Sequence, residues 1–405
     1  MNKEELRQYF LTRDSSEYRR SNYDKFIKDK RFSFDMKSVH ITGTNGKGSV
    51  ANFLKNIYKH HYKVGMYMSP FLSDVTEMIS INDDHISFDE YISILEEYKK
   101  DFDKYSLTSF EIQTIIAYTY FKKMNVDLAI IEVGMGGYID ATNIINPILS
   151  IITSVSLEHT SYLGRSISEI AESKSGIIKE KGIALIGKLD DSAFYAINEH
   201  CKEYNASLYV VDDYHNETLI NGAYHFNYNG YHDLVINTAS EYQLKNASIA
   251  VEATKLLQEV VPIDEKAIRD GLKDKLLNCR FERIKNNIIL DGAHNVEAIN
   301  NLVDTLNKNI HVPIHVVFAV FRDKNVEQML VSLSTISDDI TLTTFNHKRA
   351  RKEEEFFLYL GDYKFEEDFK SLLKEKCDAY PDDIILVTGS LAFTGVVREY
   401  LVNND

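Results

Sequence analysis

The chain has 405 residues and carries 46 Lys and Arg against 61 Asp and Glu, a formal net charge of −15 at pH 7. This length predicts two or three domains, and a composition that is 44% hydrophobic and 26% charged excludes a disordered or fibrous chain. The acidic balance argues against non-specific nucleic-acid binding and against docking on an anionic membrane. A local positive pocket for an anionic substrate stays compatible with it, because net charge does not describe a single cleft.

The cysteines and the N-terminal sequence indicate the cellular compartment in which the protein is expected. Cys201, Cys279 and Cys377 form no metal-binding pattern and are typical of reduced thiols in a cytoplasmic protein. The first ten residues include several charges and do not resemble a signal peptide. Apolar runs are much shorter than the ~18 residues of a membrane-spanning helix. We therefore expect a cytoplasmic protein.

Short apolar runs alternate with longer stretches of helical spacing, which predicts an α/β fold with a doubly wound, mainly parallel sheet. The first runs lie at residues 39–42, 64–68, 128–133, 149–155, 183–186 and 208–211, with helical spacing at 88–100 and 110–124 among others. Residues 225–236 differ, because Asn229-Gly230 between two alternating stretches is the usual signal of a β-hairpin. A helix at 242–257 follows.

A second series starts after about residue 280. Its predicted strands are 287–290, 315–320, 340–345 and 384–387, and its predicted helices lie near 296–308, 326–334, 365–376 and 391–402. We therefore predict a first domain at residues 1–279 and a smaller C-terminal α/β domain at residues 280–405.

The most specific motif is Gly43-Thr-Asn-Gly-Lys-Gly-Ser49, between an apolar strand and a helix; we call residues 43–49 the phosphate loop. Glycines let the backbone approach oxyanions, and successive N–H groups at a helix N-terminus bind phosphate. Lys47 adds a point charge, and the Ser49 hydroxyl suits Mg²⁺. The motif predicts a nucleotide site. Its spacing differs from the standard G-x-x-x-x-G-K-[ST], and a plain strand–helix turn is the alternative.

Other polar residues follow predicted strands, where ligands bind in open α/β sheets. Glu132 can ligate Mg²⁺ or cap the following turn, and the sequence favours neither. Ser69, before a Pro70 that is a candidate for a cis peptide bond, can present its hydroxyl to a metal. A lone His such as His159 is more often structural than a ligand, and Lys174 by itself is typical of a solvated helix lysine.

Further candidates lie near the predicted domain boundary. Asn246 can contact a base edge or cap a helix. Arg280 can contact phosphate or pair with Glu282. Asp291 suits ribose hydroxyls, and His294 is expected to face the same cleft.

In this order, the motifs resemble those of folylpolyglutamate synthase and dihydrofolate synthase, which are Mur-type ATP-dependent amino-acid ligases. They are the phosphate loop, Ser69-Pro70, Leu107-Thr-Ser-Phe-Glu111, Glu132-Val-Gly-Met-Gly-Gly137, Asp140-Ala-Thr-Asn143, His159, Lys174-Ser-Gly, Gln243-x-x-Asn246, Arg280-Phe-Glu282, Asp291-Gly-Ala-His-Asn295 and Thr388-Gly-Ser390. The resemblance runs from about residue 36 to the C-terminus.

The resemblance implies a Mur ligase-like fold and a ligation in two steps: ATP phosphorylates a substrate carboxylate, and the amine of L-glutamate attacks the acyl phosphate. The implied partners are ATP, L-glutamate and a folate or dihydropteroate. The implied ions are two Mg²⁺, with K⁺ as a further candidate, and the implied oligomeric state is a monomer.

The resemblance also assigns residues. The ATP-binding set is Asn45, Gly46, Lys47, Gly48, Ser49, Asn246, Arg280 and Asp291. The metal ligands are Ser49, Ser69, Glu132, His159 and Lys174, the last as a carbamate formed with CO₂; Lys47, Lys174 and His159 are the catalytic candidates. The substrate-binding set is Thr108, Ser109, Phe110, Glu111, Ile139, Asp140, Ala141, His294 and Ser390. Residues 108–111 and 139–141 match segments that contact the pterin in dihydrofolate synthases, and His294 and Ser390 are expected to line the glutamate site.

Four positions depart from the family pattern. Phe71 and Tyr242 stand where the family usually has His, and Met78 and Tyr138 stand where it usually has Arg. The phosphate and metal residues are intact, whereas several substrate-side residues have changed. Two alternatives therefore stay open: a Mur-type ligase for another acid and amino acid, and a nucleotide-binding module without ligase chemistry.

Overall fold

The computed structural model describes residues 1–13, 20–285 and 287–403. Its helices are α1 (Lys3–Leu11), α2 (Arg20–Lys30), α3 (Lys47–Tyr58), α4 (Phe88–Lys104), α5 (Ser109–Lys123), α6 (Thr160–Leu163), α7 (Ile167–Ser175), α8 (Asp191–Glu203), α9 (Tyr242–Leu256), α10 (Glu265–Lys273), α11 (Val296–Asn309), α12 (Val326–Leu333), α13 (Phe369–Ala379) and α14 (Leu391–Asn403), with 3₁₀ turns at Val75–Met78 and Glu353–Phe356.

The strands are β1 (Ser38–Thr42), β2 (Val64–Tyr67), β3 (Ile79–Ile81), β4 (Asp84–His85), β5 (Leu128–Glu132), β6 (Leu149–Ile152), β7 (Ile183–Ile186), β8 (Ser207–Val210), β9 (His215–Ile220), β10 (Ala223–Tyr228), β11 (Tyr231–Ile236), β12 (Glu282–Ile284), β13 (Ile288–Leu290), β14 (Ile314–Phe318), β15 (Asp339–Thr343), β16 (Lys364–Glu366) and β17 (Ile384–Thr388).

The largest sheet has the strand order β4-β3-β2-β5-β1-β6-β7-β8. The strands from β2 to β8 in this order pair in parallel, whereas β3 and β4 pair antiparallel. Every residue of β1 and β5 is buried, so both faces of the sheet are covered, as parallel sheets require. Helix α3 lies against β1, β2 and β5. This confirms the predicted doubly wound sheet.

The second parallel sheet has the order β12-β13-β17-β14-β15-β16, with only the β12–β13 pair antiparallel among the described strands. It confirms the predicted C-terminal α/β fold. The helix predicted at 365–376 was wrong at its start. Residues 364–366 form β16, which pairs with β15, and α13 begins after Asp368, whose side chain accepts a hydrogen bond from Lys370 N.

A small sheet of order β11-β10-β9 contains the predicted hairpin. Its turn, Asn229-Gly230, has φ values of 46° and 89°, as a two-residue hairpin turn requires. The sequence analysis missed β9. Asn221-Gly222 has φ values of 51° and 81° and is the same signal repeated.

The chain forms two compact units. The first comprises residues 1–215, 227–234 and 245–274, and the second comprises 216–226, 235–244 and 275–405. The core of the first is rich in buried aromatic side chains, including Tyr23, Phe26, Tyr91, Phe102 and Tyr118. Helices α1 and α2, in the N-terminal arm of residues 1–35, contribute to it through Leu6, Tyr23 and Phe26. In the part of the chain that is described, each helix is too short or too polar to cross a bilayer.

Candidate functional site

The phosphate loop connects β1 to α3, and its shape depends on two glycines. Gly46 has a φ of 88° and Gly43 a φ of 154°. A Cβ on Gly43 would lie 1.9 Å from Thr153 Oγ1, and a Cβ on Gly46 would lie 2.4 Å from Asn246 Oδ1. Both the backbone conformation and the space therefore require glycine.

The loop that follows β6 holds the phosphate loop in place. Asn45 N donates to Ser154 Oγ at 2.8 Å, while Thr153 Oγ1 and Ser154 Oγ donate to Asn45 O at 2.6 and 3.1 Å. Thr44 N donates to Ser154 O at 2.9 Å. The sequence analysis missed these contacts, because they join segments about a hundred residues apart.

Lys47 and Lys174 place two amines in the same region. Lys47 Nζ donates to Gly43 O at 2.9 Å and to Thr44 O at 3.2 Å. Lys174 is only 3% exposed, which excludes the solvated lysine of the sequence analysis. Burial and the positive charge of Lys47 lower the pKa of Lys174 to about 7, against the opposing effect of Glu158. A large fraction of the Lys174 amine is therefore uncharged near neutral pH.

Ser69 and Glu132, two predicted metal ligands, are neighbours. Glu132 is the last residue of β5 and is 5% exposed, and its Oε2 accepts a hydrogen bond from Ser69 N at 3.3 Å. The Ser69-Pro70 peptide bond is cis. His159 precedes α6, and its Nε2 lies 3.6 Å from Glu158 Oε1.

Among the described residues, no three His, Cys, Asp or Glu side chains are grouped to hold a metal ion. The donors beside the phosphate loop are instead the buried carboxylate of Glu132 and the hydroxyls of Ser49 and Ser69. Oxygen ligands of this kind, few in number, suit Mg²⁺, which keeps several waters.

Thr108, Ser109, Phe110 and Glu111 form the start of α5. Thr108 N and Oγ1 donate to Glu111 Oε2 at 2.8 and 2.9 Å, so these two residues form a capping box. Glu111 is 2% exposed, and its second oxygen, Oε1, is buried without a hydrogen-bond partner in the described parts of the chain. Burial raises the pKa of Glu111. Glu111 Oε1 is thus a buried acceptor in a segment that the family resemblance assigns to the substrate.

Asp140 belongs to residues 138–143, which we call the substrate segment because residues 139–141 are predicted to contact the substrate. It is 6% exposed and accepts hydrogen bonds from Met135 N at 2.9 Å, Thr142 N at 3.0 Å and Thr142 Oγ1 at 2.5 Å. Burial raises its pKa. A Cβ on Gly134 would lie 2.6 Å from Phe110 Cζ and 3.2 Å from Asp140 Oδ2. The two predicted pterin-contacting segments therefore meet at Gly134.

Helix α2 anchors the substrate segment from the N-terminal arm. Arg20 donates to Ile139 O at 3.1 Å and to Asp140 O at 2.5 Å, and Tyr23 donates to Ala141 O at 3.1 Å. No sequence signal could have assigned these contacts, because each ends on a backbone carbonyl more than a hundred residues away.

The structure shows what surrounds three of the positions that depart from the family pattern, Tyr138, Met78 and Phe71. His200 Nε2 lies 3.4 Å from Ile178 O, so this nitrogen carries the proton and Nδ1 accepts from the Tyr138 hydroxyl at 3.0 Å. Burial raises the pKa of Tyr138 to about 12. Met78 is a core residue at 3% exposure, whereas Phe71 is 40% exposed.

In the second unit, Asp291 follows β13 and is 3% exposed. Its Oδ2 accepts from the Tyr242 hydroxyl at 2.7 Å and from Phe281 N at 2.8 Å, and its Oδ1 accepts from Ala293 N at 2.9 Å. Burial raises the pKa of Asp291, and the charge of Arg280 opposes this.

Two roles that the sequence left open do not occur in the structure: a helix cap by Asn246 and an ion pair between Arg280 and Glu282. Helix α9 begins at Tyr242, so Asn246 lies inside the helix and does not cap it. Glu282 accepts from Arg398 Nε at 2.9 and 3.0 Å, so its ionic partner is Arg398, not Arg280.

His294 and Ser390 follow neighbouring parallel strands, β13 and β17. Gly389 N donates to Ala293 O at 3.1 Å, which joins the two loops. His294 Nδ1 donates to Gly292 O at 2.8 Å, and Ser390 is 1% exposed. The structure thus brings the two predicted glutamate-site segments to one edge of the second sheet.

Comparisons with known proteins agree with this architecture. The profile of the Mur ligase middle domain matches residues 41–254, and that of the Mur ligase glutamate ligase domain matches residues 279–391. The fold and the phosphate loop are therefore those of a Mur-type ATP-dependent ligase.

Similarity to individual proteins identifies the family of Mur-type ligases to which the chain belongs. Dihydrofolate synthase/folylpolyglutamate synthase of Bacillus subtilis (strain 168) is 30% identical over 390 residues, which cover 90% of each chain. Folylpolyglutamate synthase of Mycobacterium tuberculosis with ADP and AMPPCP has a TM-score of 0.88 at 26% identity, over 98% of this chain and 97% of that one. A solved complex of folylpolyglutamate synthase (FPGS) with AMPPCP and folate has a TM-score of 0.87 at 27% identity, over 99% of this chain and 100% of that one. The chain belongs to the folylpolyglutamate synthase/dihydrofolate synthase family.

Proposed function

We propose that the protein uses ATP to join L-glutamate to a folate-type carboxylate through an acyl phosphate, with dihydropteroate as a second acceptor. The observation that carries the proposal is the meeting of the two predicted pterin segments at Gly134, where Phe110 and Asp140 both approach the glycine. Glu111, on the first of these segments, is buried with an unsatisfied oxygen. A pterin, whose ring N–H and amino groups donate hydrogen bonds, is chemically complementary to the carboxylates of Asp140 and Glu111.

The chain's own groups account for the phosphoryl transfer. The N–H groups at the start of α3 and the Lys47 ammonium would face the β- and γ-phosphates of ATP. They compensate negative charge on the phosphoryl group as it moves to the acceptor carboxylate. The amine of L-glutamate then attacks the acyl carbon, and phosphate leaves as the amide forms. We propose that His294 and Ser390 bind this glutamate.

We propose two Mg²⁺ sites made by Ser49, Ser69, Glu132, His159 and a carbamate on Lys174, with K⁺ as a further ion. Bound Mg²⁺ would neutralise and orient the phosphoryl oxygens. The lowered pKa of Lys174 supports the carbamate, because only an uncharged amine reacts with CO₂. The product is an oxygen ligand in place of a buried cation.

For the nucleotide, we propose that Asn246 contacts adenine, Arg280 the phosphates and Asp291 the ribose. The three donors on Asp291 support a fixed carboxylate. We also propose a domain boundary at residues 279/280, and a monomer that acts in the cytoplasm. The three cysteines, all free thiols, support that location.

The test is product formation by the purified protein with Mg·ATP, L-glutamate and either tetrahydrofolate or dihydropteroate. We expect ADP release coupled to a new glutamyl amide, identified by mass spectrometry. Reactions without L-glutamate are the control for uncoupled ATP hydrolysis. Failure to form an amide with either acceptor, while another carboxylic acid is ligated, would overturn the folate assignment and leave a Mur-type ligase for that acid.

A second experiment addresses Lys174. Lys174→Ala is expected to lose nearly all turnover, and Lys174→Arg, which keeps the positive charge but forms no carbamate of this kind, is expected to lose as much. Wild-type activity is expected to rise when bicarbonate is returned to a CO₂-depleted assay. Full turnover in either variant would refute the carbamate.

A further inference from the structure

His40 lies in the middle of β1, the strand that leads into the phosphate loop. It is fully buried, and its Nε2 lies 2.8 Å from Thr142 Oγ1. Thr142 is in the substrate segment and donates its hydroxyl proton to Asp140 Oδ1 at 2.5 Å. A continuous chain of side chains therefore leads from the strand of the phosphate loop to Asp140.

The direction of each hydrogen bond in this chain is fixed by chemistry. The carboxylate of Asp140 only accepts, so the single proton of the Thr142 hydroxyl points at Asp140. The hydroxyl oxygen must then accept from His40, so Nε2 carries the imidazole proton. His40 Nδ1 is buried without a hydrogen-bond partner in the described residues, which leaves no acceptor for a second proton.

Other groups around His40 agree with a neutral ring. Lys179, whose Nζ donates to Asn143 Oδ1 at 2.7 Å, is close enough for its charge to act on His40. Burial and this charge lower the pKa of His40 to about 3. The imidazole is thus a fixed donor, and its role does not change over the physiological pH range.

The backbone of Thr142 is also held. Its carbonyl accepts from the Tyr118 hydroxyl at 2.8 Å, and its N–H donates to Asp140 Oδ1 at 3.0 Å. With the backbone fixed, the remaining freedom is rotation of the Thr142 hydroxyl. The His40 donor removes that freedom, since it leaves one orientation in which both hydrogen bonds form.

We propose that His40 is a positioning residue for substrate binding: it fixes the Thr142 hydroxyl, and through it the orientation of the Asp140 carboxylate that contacts the pterin of the acceptor. The proposal rests on the proposed function for the identity of the acceptor. It places the determinant of acceptor affinity on the same strand as the phosphate loop, although His40 would touch neither ligand.

The kinetic test uses matched pairs at both ends of the chain. His40→Leu removes the donor, whereas His40→Gln keeps an N–H close to the position of Nε2; Thr142→Val removes the hydroxyl, whereas Thr142→Ser keeps it. We expect His40→Leu to raise the acceptor KM about tenfold, the effect of one buried hydrogen bond. We expect Thr142→Val, which removes the hydrogen bonds to both His40 and Asp140, to raise it at least as much. We expect the KM for ATP to change less than about twofold, and the Gln and Ser variants to stay near wild type.

The double variant separates positioning from general loss of packing. Because both residues act in one chain, His40→Leu with Thr142→Val is expected to be no worse than Thr142→Val alone. Equal increases in both KM values, additive effects in the double variant, or no rescue by His40→Gln would overturn the proposal. If His40→Leu does not fold, the comparison of Thr142→Val with Thr142→Ser and of wild type with His40→Gln still decides it.

An independent measurement is the tautomer of His40 by ¹⁵N NMR of the intact protein. We expect a neutral ring protonated at Nε2 that does not titrate between pH 5 and 8. A ring protonated at Nδ1 would overturn the proposal. If wild type ligates no folate, the proposed function fails and the acceptor identity fails with it, whereas loss of the Nε2 proton would remove the positioning step alone.

Discussion

The phosphate loop and the substrate segment lie in the same unit but are built from different parts of the chain. In the phosphate loop, two glycines at positive φ let the chain turn, and the backbone N–H and C=O groups of Thr44 and Asn45 are held by the loop that follows β6. In the substrate segment, side chains from α2 and α5 hold the backbone, and His40 of β1 holds the Thr142 side chain.

This difference has a consequence for specificity. Phosphate binding by backbone N–H groups does not require a particular side chain at most positions of the loop. A site made by side chains from several elements can be altered one residue at a time. One of the four departures from the family pattern, Tyr138, lies in this segment. Four predictions test this contrast, from the largest effect to the smallest.

Replacement of the charge in the phosphate loop should have the largest effect. Lys47→Gln removes the ammonium that would face the ATP phosphates, and we expect kcat to fall about 10²–10³-fold, measured as ADP release. Lys266→Gln, at a surface lysine whose side chain is 85% exposed, is the matched control and should be unchanged. A Lys47→Gln enzyme within tenfold of wild type would contradict the phosphate assignment.

Asp140→Asn should affect the acceptor without affecting ATP. Asn keeps the shape, but its amide nitrogen cannot accept one of the hydrogen bonds that Asp140 receives, so we expect the acceptor KM to rise about 10–100-fold. The KM for ATP should change little. Asp84→Asn, at an exposed position, is the control. An equal rise in the KM for the acceptor and the KM for ATP would show that the acceptor site and the ATP site are not independent.

The buried amine beside the phosphate loop predicts a pH-dependent stability. Because the pKa of Lys174 is about 7 in the folded protein and about 10.4 in an unfolded chain, the unfolded state binds more protons between these values. The free energy of unfolding therefore rises with pH from about 7 to about 10, and the cost of the buried charge is present in full below pH 7.

Lys174→Met removes that cost. In CO₂-depleted buffer at pH 6, we expect the variant to melt several degrees above wild type, and we expect the difference to shrink by pH 10. Differential scanning calorimetry at both pH values gives the comparison. An equal difference at both would mean that Lys174 does not titrate in this interval.

The smallest effect is expected at a departure from the family. Tyr138→Phe removes one hydrogen bond, from the Tyr138 hydroxyl to His200, and should lower the free energy of unfolding by about 1 kcal/mol with kcat within about twofold. Tyr195→Phe, at a tyrosine that is 63% exposed, is the control. A large loss of turnover in Tyr138→Phe would place the hydroxyl in contact with substrate.

Structural features whose signal lies within a few contiguous residues could be predicted from the sequence. The glycines of the phosphate loop, the Glu132 at a strand end and the Asn229-Gly230 turn each carry their signal within a few positions. The alternation of apolar runs and helical spacing predicted both parallel sheets, since most of their strands are short and buried and most are followed by a helix, although the edge strands β8 and β16 are largely exposed. Element ends were less accurate, as at β16, where Asp368 delays the start of α13.

The sequence could not predict contacts whose partners are distant in the chain. His40 and Thr142 are 102 positions apart, and although each lies in or beside a recognised motif, nothing in either motif indicates that the two side chains meet. Arg20 and Tyr23 act on backbone carbonyls, which every residue has. Lys174 was typical of a solvated lysine by local pattern, because its burial is a property of the packed fold.

The hydrogen bond between Tyr242 and Asp291 changes how the second unit responds to acid. Where the family usually has an imidazole, whose charge changes between pH 5 and 8, this chain has a phenol. Burial and the neighbouring carboxylate keep the pKa of Tyr242 well above 10, so its proton stays in place across that interval. The hydrogen bond that orients Asp291 is therefore unchanged over a pH range in which a histidine in place of Tyr242 would gain a proton.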